Sequence, residues 1–219
     1  KMDVDYEIKL LNDKKDRIKL YQRIDLEEDV LVETMPQIYY GSEYVGGFAE
    51  FDKFIKPTYN YNKLGTISKI LTLNLNKIID YNYYPTPETK KSNMRHRPIG
   101  IGVQGLANVF YEMGVSFDSD EAKSINKSIF ECIYYNSLEE SMILSKQYGS
   151  YETFDGSPAS QGLLQFDLWD NVPNHNLKYD WDKLKENIKS NGLRNSLLLA
   201  LMPTASTSQI LGNYECFEP

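Results

Sequence analysis

The segment RPIGIGVQGL, residues 97–106, constrains the fold more than any other stretch of this sequence. Its residues alternate between an apolar face and a face of glycine and glutamine: Ile99, Ile101 and Val103 against Gly100, Gly102 and Gln104. A period of two residues is typical of a β-strand. Glycines on one face of a strand indicate that another backbone packs closely against it. We therefore expect a strand whose glycine face is covered.

A first helix is predicted upstream of this strand. Two prolines, Pro85 and Pro87, are expected to close the helix. Its apolar residues recur at helical spacing over about five turns, at positions Leu64, Ile67, Leu71, Leu75, Ile78 and Ile79. This pattern predicts an amphipathic helix that buries the apolar stripe.

Two more helices and a second strand are predicted downstream. One helix is expected to begin at Asp118, with Glu121 as its capping-box partner, and to stop at Gly149. A shorter helix is expected over about residues 181–190 and precedes the apolar segment NSLLLAL at 195–201. The order helix, strand, helix, helix, strand is typical of an α/β fold, in which helices cover apolar strands on both faces.

The first 58 residues differ in pattern from the rest of the chain. Residues 9–30 are charge-dense and predict a surface helix, whereas residues 37–55 alternate around Gly46 and Gly47 and predict strand and turn.

The charge balance excludes several classes of function. The 219 residues carry 24 Lys and Arg against 31 Asp and Glu, a net charge of -7. An acidic chain without a basic stripe argues against nucleic-acid binding and against attachment to an anionic membrane surface. No signal peptide or membrane span is evident. With only two cysteines, the sequence is expected to belong to a reducing, cytoplasmic compartment.

The strongest binding motif is the uncharged, hydroxyl-rich stretch MPTASTSQILGN at residues 202–213, which follows the second predicted strand. A strand that ends in such a loop and turns into a helix presents free N–H groups and hydroxyls, which suit a phosphate. An ordinary helix cap uses the same residue types. From the residues alone both interpretations stay open, and the cap is favoured.

Other motifs have simpler explanations. The pattern GIGVQG, residues 100–105, fits a dinucleotide fingerprint, but its glycines lie inside the strand and not in the turn after it. The basic cluster Arg95–Arg97 either meets a phosphate or, as we favour, pairs with carboxylates and helix ends. Cys132 lies among apolar helix residues and is expected to be buried and inert. Glutamates flank Cys216 and are expected to raise its pKa.

Three long stretches of the chain resemble the large subunit of class I ribonucleotide reductase, of the eukaryotic or viral type. They run from NLNKIIDYNYYP to MGVSFDS (74–119), from GSYETFDG to FDLW (149–169), and from LRNSLLLAL to CFEP (193–219). The resemblance covers residues from about 60 to 219 almost without a break. It implies that residues 59–219 are a portion of the family's ten-stranded α/β barrel, and that the two predicted strands belong to that barrel.

The resemblance also implies an activity, the reduction of ribonucleoside diphosphates to deoxyribonucleoside diphosphates by thiyl-radical chemistry. It implies ATP and deoxynucleoside triphosphates as effectors, and thioredoxin or glutaredoxin as reductant. The implied partners are a small subunit that carries a metal-radical site and a second copy of the large subunit in a homodimer. The family's loop for the substrate diphosphate matches five residues here: Pro203, Thr204, Ala205, Ser206 and Thr207.

The sequence departs from the family pattern in its first quarter. Residues 1–58 contain no cysteine and do not align with the family, although the radical cysteine and one redox cysteine are expected there. Smaller departures are Leu201, where a proline is common, and Tyr214, within a usual Asn-Asn-Glu. No catalytic residue is therefore assigned, and the chain alone is expected to be inactive. The alternative is a degenerate, non-catalytic relative that binds a subunit or regulates it.

Overall fold

The computed structural model describes residues 38–40, 43–46, 58–173 and 175–219. The chain divides into two compact units, Lys1–Lys56 and Pro57–Pro219. In the first unit, strand β1 (Ile38–Tyr40) pairs antiparallel with strand β2 (Glu43–Gly46). The hairpin confirms the predicted strand character over the residues that are described. The helix predicted for residues 9–30 lies outside them.

Helices dominate the second unit. In chain order they are α1 (Tyr61–Tyr81), α2 (Pro87–His96), α3 (Leu106–Glu112), α4 (Asp120–Tyr148), α5 (Gln165–Leu168), α6 (Trp181–Asn191) and α7 (Ala205–Leu211). Short 3-10 turns lie at Ala159–Gln161 and His175–Leu177. Among the described helices, none has both the length and the apolar run that crossing a bilayer requires.

The buried face of α1 coincides only in part with the apolar stripe that the sequence predicts. Ile67 and Ile78, two members of that stripe, are 42% and 54% exposed. The face that packs along α4 is made mostly of small and polar residues: Gly65, Ser68, Thr72, Asn76 and Ile79. A Cβ atom on Gly65 would lie 2.7 Å from Nδ2 of Asn136 on α4, so the small residues allow a close approach of the two helices. The prediction of this face is confirmed for Ile79 and wrong for Ile67 and Ile78, because close packing against α4 selected residue size over hydrophobicity.

The N-cap of helix α4 lies one residue later than predicted, at Ser119 in place of Asp118. Ser119 is the N-cap, and its side chain accepts a hydrogen bond from the N–H of Ala122 at 3.1 Å. Asp118 instead accepts a hydrogen bond from the Ser116 hydroxyl at 2.6 Å, so the predicted capping box with Glu121 does not form. The predicted stop is confirmed, since Gly149 is the C-cap.

The ends of α6 follow local sequence signals. The Asp180 side chain accepts a hydrogen bond from the N–H of Lys183 at 2.9 Å and caps the first turn. Gly192 ends the helix with φ 77°, a conformation that glycine adopts without steric cost. The predicted helix is therefore confirmed to within a residue at its carboxyl end.

The sequence pattern does not predict helix α2, because Pro85 and Pro87 indicate the end of the preceding helix. In the structure α1 already ends at Tyr81, and Pro87 opens α2 at its first position. Proline is favoured there because the first N–H of a helix has no intrahelical acceptor. Thr86 caps this helix through a reciprocal hydrogen-bond pair with Thr89. The Thr-Pro pair was the sequence signal that could have identified the helix.

Two apolar clusters form the core of the second unit, and α4 contributes to both. The first comprises Leu138, Met142, Tyr151, Phe154, Leu164, Trp181, Leu184, Ile188, Leu193 and Leu198. The second comprises Ile101, Leu106, Phe110, Val115, Ala122, Ile125, Ile129 and Ile133. Fully burying one large aliphatic side chain stabilises the fold by about 1.5–3 kcal/mol. Ile101 and Leu198 belong to different clusters, so the two extended segments that carry them lie between the two parts of the core.

These two extended segments, which were predicted as strands, run side by side in the same direction. They share one isolated parallel bridge between Ile101 and Leu199. The N–H of Ile99 donates to the carbonyl of Leu197 at 3.0 Å, and the N–H of Ile101 donates to that of Leu198 at 2.8 Å. Regular strands do not form there, since two short paired segments do not make a stable ladder. The described part of the second unit is therefore mainly helical, and its two extended segments are joined by a single parallel bridge.

Candidate functional site

The predicted phosphate loop, Pro203–Thr207, follows the second extended segment and leads into α7. Thr204 is the N-cap of α7 and has φ 57° and ψ 21°, in the left-handed region. A β-branched residue is rarely found in that region, and holding it there costs about 1–3 kcal/mol. Thr204 is half-buried, whereas the other four residues of the loop are exposed. The loop is therefore a solvent-accessible turn with one strained residue at its centre.

Hydrogen bonds to Thr204 hold the loop in shape. Its hydroxyl oxygen accepts from the N–H of Cys216 at 2.7 Å. Its carbonyl accepts from the N–H of Ser208 at 2.9 Å and from the Thr207 hydroxyl at 3.3 Å. The side chain of Thr204 makes no capping bond to the first turn of α7. An ordinary helix cap would use its side-chain oxygen in that way, so the loop differs from the simple cap that composition favours.

The chemistry that this loop offers is hydrogen-bond donation without a formal charge. The first N–H groups of a helix, here those of residues 205–207, have no acceptor within the helix. The exposed Ser206 adds a hydroxyl beside them. Because α7 has only seven residues, its macrodipole is short, and the individual N–H and hydroxyl donors are the main attraction for an anion. Such a group can donate hydrogen bonds to the oxygens of a phosphate.

The backbone beneath the loop is set by the two glycines of the first extended segment. A Cβ atom on Gly100 would lie 3.0 Å from the Cβ of Ala200, and one on Gly102 would lie 2.8 Å from the carbonyl oxygen of Ala200. The predicted close approach on the glycine face is thereby confirmed. The glycines bring Ala200 against the backbone of the first extended segment, and they fix where the loop begins.

The basic cluster at residues 95–97 has the structural role that was favoured. Arg97 is only 2% exposed, and its guanidinium donates to both carboxylate oxygens of Asp80 at 2.8 Å. It also donates to the side-chain oxygen of Asn76 at 3.0–3.1 Å. These hydrogen bonds from Arg97 hold the pKa of Asp80 below its usual value. Arg95 pairs with Glu152 at 3.2 Å on the surface.

Sequence reasoning missed the buried polar residues that extend this network. Asn195 is fully buried, and its amide donates to the carbonyl of Arg97 at 3.0 Å. Its side-chain oxygen accepts from the Ser141 hydroxyl at 3.1 Å, and its own N–H donates to the Ser141 hydroxyl oxygen at 3.0 Å. One signal for this network is present in the sequence. Asn76 follows Thr72 by four residues, a spacing that places two polar side chains on the same face of α1, and that face is buried. Asn195 ties the second extended segment to the first.

Both cysteines are buried, as the sequence predicts for Cys132. Cys132 has no exposed surface, and burial raises the pKa of its thiol, which donates to the carbonyl of Tyr61 at 3.3 Å. Cys216 is 3% exposed. The predicted effect of neighbouring glutamates on the Cys216 pKa stays a prediction. Across the described residues, no three His, Cys, Asp or Glu side chains converge in a way that could hold a metal ion.

Comparison with known proteins gives a family for most of the chain. Residues 46–219 match the family model described as the ribonucleotide reductase barrel domain. The ribonucleoside-diphosphate reductase large subunit of Plasmodium falciparum (isolate Dd2) is 60% identical over 164 residues, which cover 75% of this chain and 20% of the relative. The large chain of Schizosaccharomyces pombe is 56% identical over 167 residues, 76% of this chain and 20% of the relative.

A plant relative extends the same result. The ribonucleoside-diphosphate reductase large subunit of Arabidopsis thaliana is 57% identical over 161 residues, 74% of this chain and 20% of the relative. The chain thus spans about a fifth of the length of the curated relatives that it matches. The predicted boundary at residue 58 stays a prediction.

Proposed function

Since the chain belongs to the family of ribonucleotide reductase barrel domains, we propose that it forms part of a ribonucleoside-diphosphate reductase large subunit. In that role it contributes to the reduction of ribonucleoside diphosphates to deoxyribonucleoside diphosphates. The support is the identity of 53–60% to relatives that carry this name, over about three quarters of the chain. The proposed whole enzyme is an oxidoreductase, and this chain supplies one piece of its barrel.

The proposal extends to the architecture of the intact subunit. The two extended segments are two of the ten strands of the family's α/β barrel, and the rest of the barrel completes the sheet around them. The parallel bridge between Ile101 and Leu199 supports this, because parallel pairing is what adjacent strands of an α/β barrel require. Burial of Ile101 and Leu198 in two different apolar clusters is also typical of a strand covered on both faces.

Within this subunit the loop Pro203–Thr207 binds the diphosphate of the substrate. The single observation that carries the assignment is the exposed, uncharged loop itself, in which the backbone is held by Thr204 and the donors of residues 205–207 are accessible. Backbone N–H groups and hydroxyls bind phosphate oxygens through charge-assisted hydrogen bonds. Binding the diphosphate there fixes the position of the nucleoside relative to the rest of the barrel.

The chemical step is assigned to residues other than the two cysteines of this chain. Cys132 has no exposed surface and a raised pKa, which are properties of a structural thiol. The effectors, the reductant, the second copy of the large subunit and the small subunit with its metal-radical site are proposed for the intact enzyme. The residues of this chain bind and orient the substrate.

The test is a pair of substitutions in the full-length large subunit that carries this segment, assayed with its small subunit. Replacing Ser206 and Thr207 by alanine removes the exposed Ser206 hydroxyl, together with the Thr207 hydroxyl that donates to the carbonyl of Thr204 at 3.3 Å. A hydrogen bond to a charged group contributes about 1.5–3 kcal/mol, so the KM for ADP or CDP should rise at least about tenfold. The matched control is the Thr66→Ala, Ser190→Ala variant, whose exposed hydroxyls bond to their own helices. An unchanged KM in the loop variant would refute the assignment.

A second candidate, a non-catalytic relative that binds or regulates another subunit, is favoured by one observation. Residues 1–58 contain no cysteine, although the family resemblance places catalytic cysteines there. The flanking coding sequence separates the two candidates. An upstream Asn-x-Cys-x-Glu and a downstream Tyr-Tyr pair support the reductase, and their absence supports the regulatory module. Turnover of ADP or CDP by the purified 219-residue chain with a small subunit alone would contradict both.

A further inference from the structure

The segment after α7, residues 213–216, folds back and is held by the amino end of α3. The N–H of Gly105 donates to the carbonyl of Tyr214 at 2.9 Å. The N–H of Tyr214 donates to the side-chain oxygen of Asn108 at 2.8 Å. Both backbone polar groups of Tyr214 are therefore bonded to the first turn of α3. Tyr214 and Asn108 are 106 residues apart in the sequence. We call residues 213–216 the return segment.

The return segment in turn holds the loop that precedes α7. The N–H of Cys216 donates to the hydroxyl oxygen of Thr204 at 2.7 Å. Asn213 adds a bond from its N–H to the carbonyl of Ser208 at 2.9 Å. The chain from Thr204 through α7 to Cys216 is thus a ring closed by hydrogen bonds. Thr204 and Cys216 both have positive φ, 57° and 44°, so each needs its hydrogen bond to stay in a strained conformation.

We infer that Asn108 is a positioning residue for the loop Pro203–Thr207, acting through the return segment on Thr204. The inference rests on the proposed function, because it concerns the loop that is proposed to bind the substrate diphosphate. Asn108 is half-buried on α3 and lies outside that loop. The side-chain oxygen of Asn108 accepts from the N–H of Tyr214 and so fixes the backbone there. Two residues later, the N–H of Cys216 donates to the hydroxyl oxygen of Thr204 and holds it in place. When Asn108 no longer accepts this bond, Thr204 can relax and the donors of residues 205–207 lose their alignment.

The chemistry of Asn108 allows a sharp pair of variants. Only its oxygen is used in this contact, as an acceptor for one N–H. Asn108→Asp keeps an acceptor in the same position and makes the bond charge-assisted. Asn108→Leu keeps the approximate size and removes the acceptor. A residue that acted only by filling space would tolerate Asp and Leu about equally, whereas a positioning residue tolerates Asp, which keeps the acceptor, and not Leu, which removes it.

The experiment measures KM and kcat for ADP in the full-length large subunit with its small subunit, at about 0.15 M salt to screen the added charge of the Asp variant. Asn108→Leu is expected to raise KM roughly three- to tenfold, as the loss of one net hydrogen bond implies, with kcat within about twofold. Asn108→Asp is expected to keep KM within about twofold of the wild type. The matched control is Asn191→Leu, which removes a half-buried side-chain bond to the carbonyl of Asn187 on α6.

A double variant tests the route through Thr204. Thr204→Val removes the acceptor for the Cys216 N–H. If Asn108 acts through Thr204, Asn108→Leu should add little to the KM of Thr204→Val, because coupled residues are not additive. Three results would each overturn the inference. They are a KM in the double variant equal to the product of the two single effects, an unchanged KM in Asn108→Leu, and a KM in Asn108→Asp that rises as much as in Asn108→Leu. If Ser206→Ala, Thr207→Ala also leaves KM unchanged, the proposed function itself fails; if that variant raises KM, only the role of Asn108 is lost.

Discussion

Substitutions of the two glycines beneath the loop should differ in how they can be rescued. Gly100 and Gly102 face the same residue, Ala200, through different atoms. A Cβ on Gly100 meets the Cβ of Ala200 at 3.0 Å, whereas a Cβ on Gly102 meets its carbonyl oxygen at 2.8 Å and the Cα of Leu201 at 3.4 Å. Ala200→Gly removes a methyl group but leaves the carbonyl in place. It should therefore rescue Gly100→Ala and fail to rescue Gly102→Ala.

The expected magnitudes follow from these contacts. Forcing an extra methyl group into a packed site costs about 1–3 kcal/mol. Replacing glycine by alanine also restricts the unfolded chain, which returns about 0.4–1 kcal/mol. Gly102→Ala meets immovable backbone, so its net loss should be about 2 kcal/mol. Gly100→Ala meets a side-chain methyl on an exposed residue, and its net loss should stay within about 1 kcal/mol.

Urea unfolding of the purified chain, followed by tryptophan fluorescence, measures these differences, because unfolding exposes the buried Trp181 whereas Trp169 is already exposed. With a slope of about 2 kcal/mol per molar urea, Gly102→Ala should lower the midpoint by about 1 M. The double variant Gly100→Ala, Ala200→Gly should be more stable than the sum of its single changes predicts, and the corresponding Gly102 double variant should be additive. Rescue of Gly102→Ala by Ala200→Gly, or no loss in Gly102→Ala, would refute the packing described for this face.

Two further predictions concern titratable groups. The pKa of Asp80 lies below its usual value in the fold because Arg97 donates to it, so this contribution to stability is present above about pH 5 and is lost as pH falls through the folded pKa. The stability gap between the wild type and Asp80→Asn in urea should therefore narrow from pH 7 to pH 3, and a constant gap would contradict the pairing. The buried thiols of Cys132 and Cys216 should not react with a disulfide reagent at pH 8 until urea unfolds the chain. Labelling of the folded chain at the rate of a free thiol would contradict their burial.

Local chemistry explains which parts of the fold the sequence could predict. Glycine at a helix end acts within a few residues, so the stops at Gly149 and Gly192 were predictable. The close approach at Gly102 was predictable for the same reason, since a missing side chain implies a neighbour. The full set of residues on the buried face of α1 could not be predicted, because it depends on the shape of α4. Hydrophobicity favoured Ile67, but the small residues that face α4 decided the packing.

The loop was predictable in its composition and not in its conformation. Hydroxyl and proline residues at 203–207 predicted either a phosphate loop or an ordinary helix cap. The left-handed conformation of Thr204 and its bond to Cys216 depend on a return of the chain twelve residues later. The bond between Tyr214 and Asn108 joins segments 106 residues apart, and no local pattern indicates it. Side-chain bonds between distant segments are therefore the part of the site that needed the structure.

The buried polar network sets the register on which the loop depends. The amide of Asn195 donates to the carbonyl of Arg97, and this bond fixes which residues of the two extended segments lie opposite each other. A slip of one residue would move the start of the loop by about 3.3 Å and turn Ala200 away from Gly102. A hydrogen bond tolerates only a few tenths of an ångström, so a shift of this size would displace the N–H and hydroxyl donors after Pro203 from a common acceptor. An apolar replacement of a buried polar network is often equally stable. The directional bond between Asn195 and Arg97 therefore matters here because it sets where the second extended segment lies against the first, and with it the position at which the loop begins.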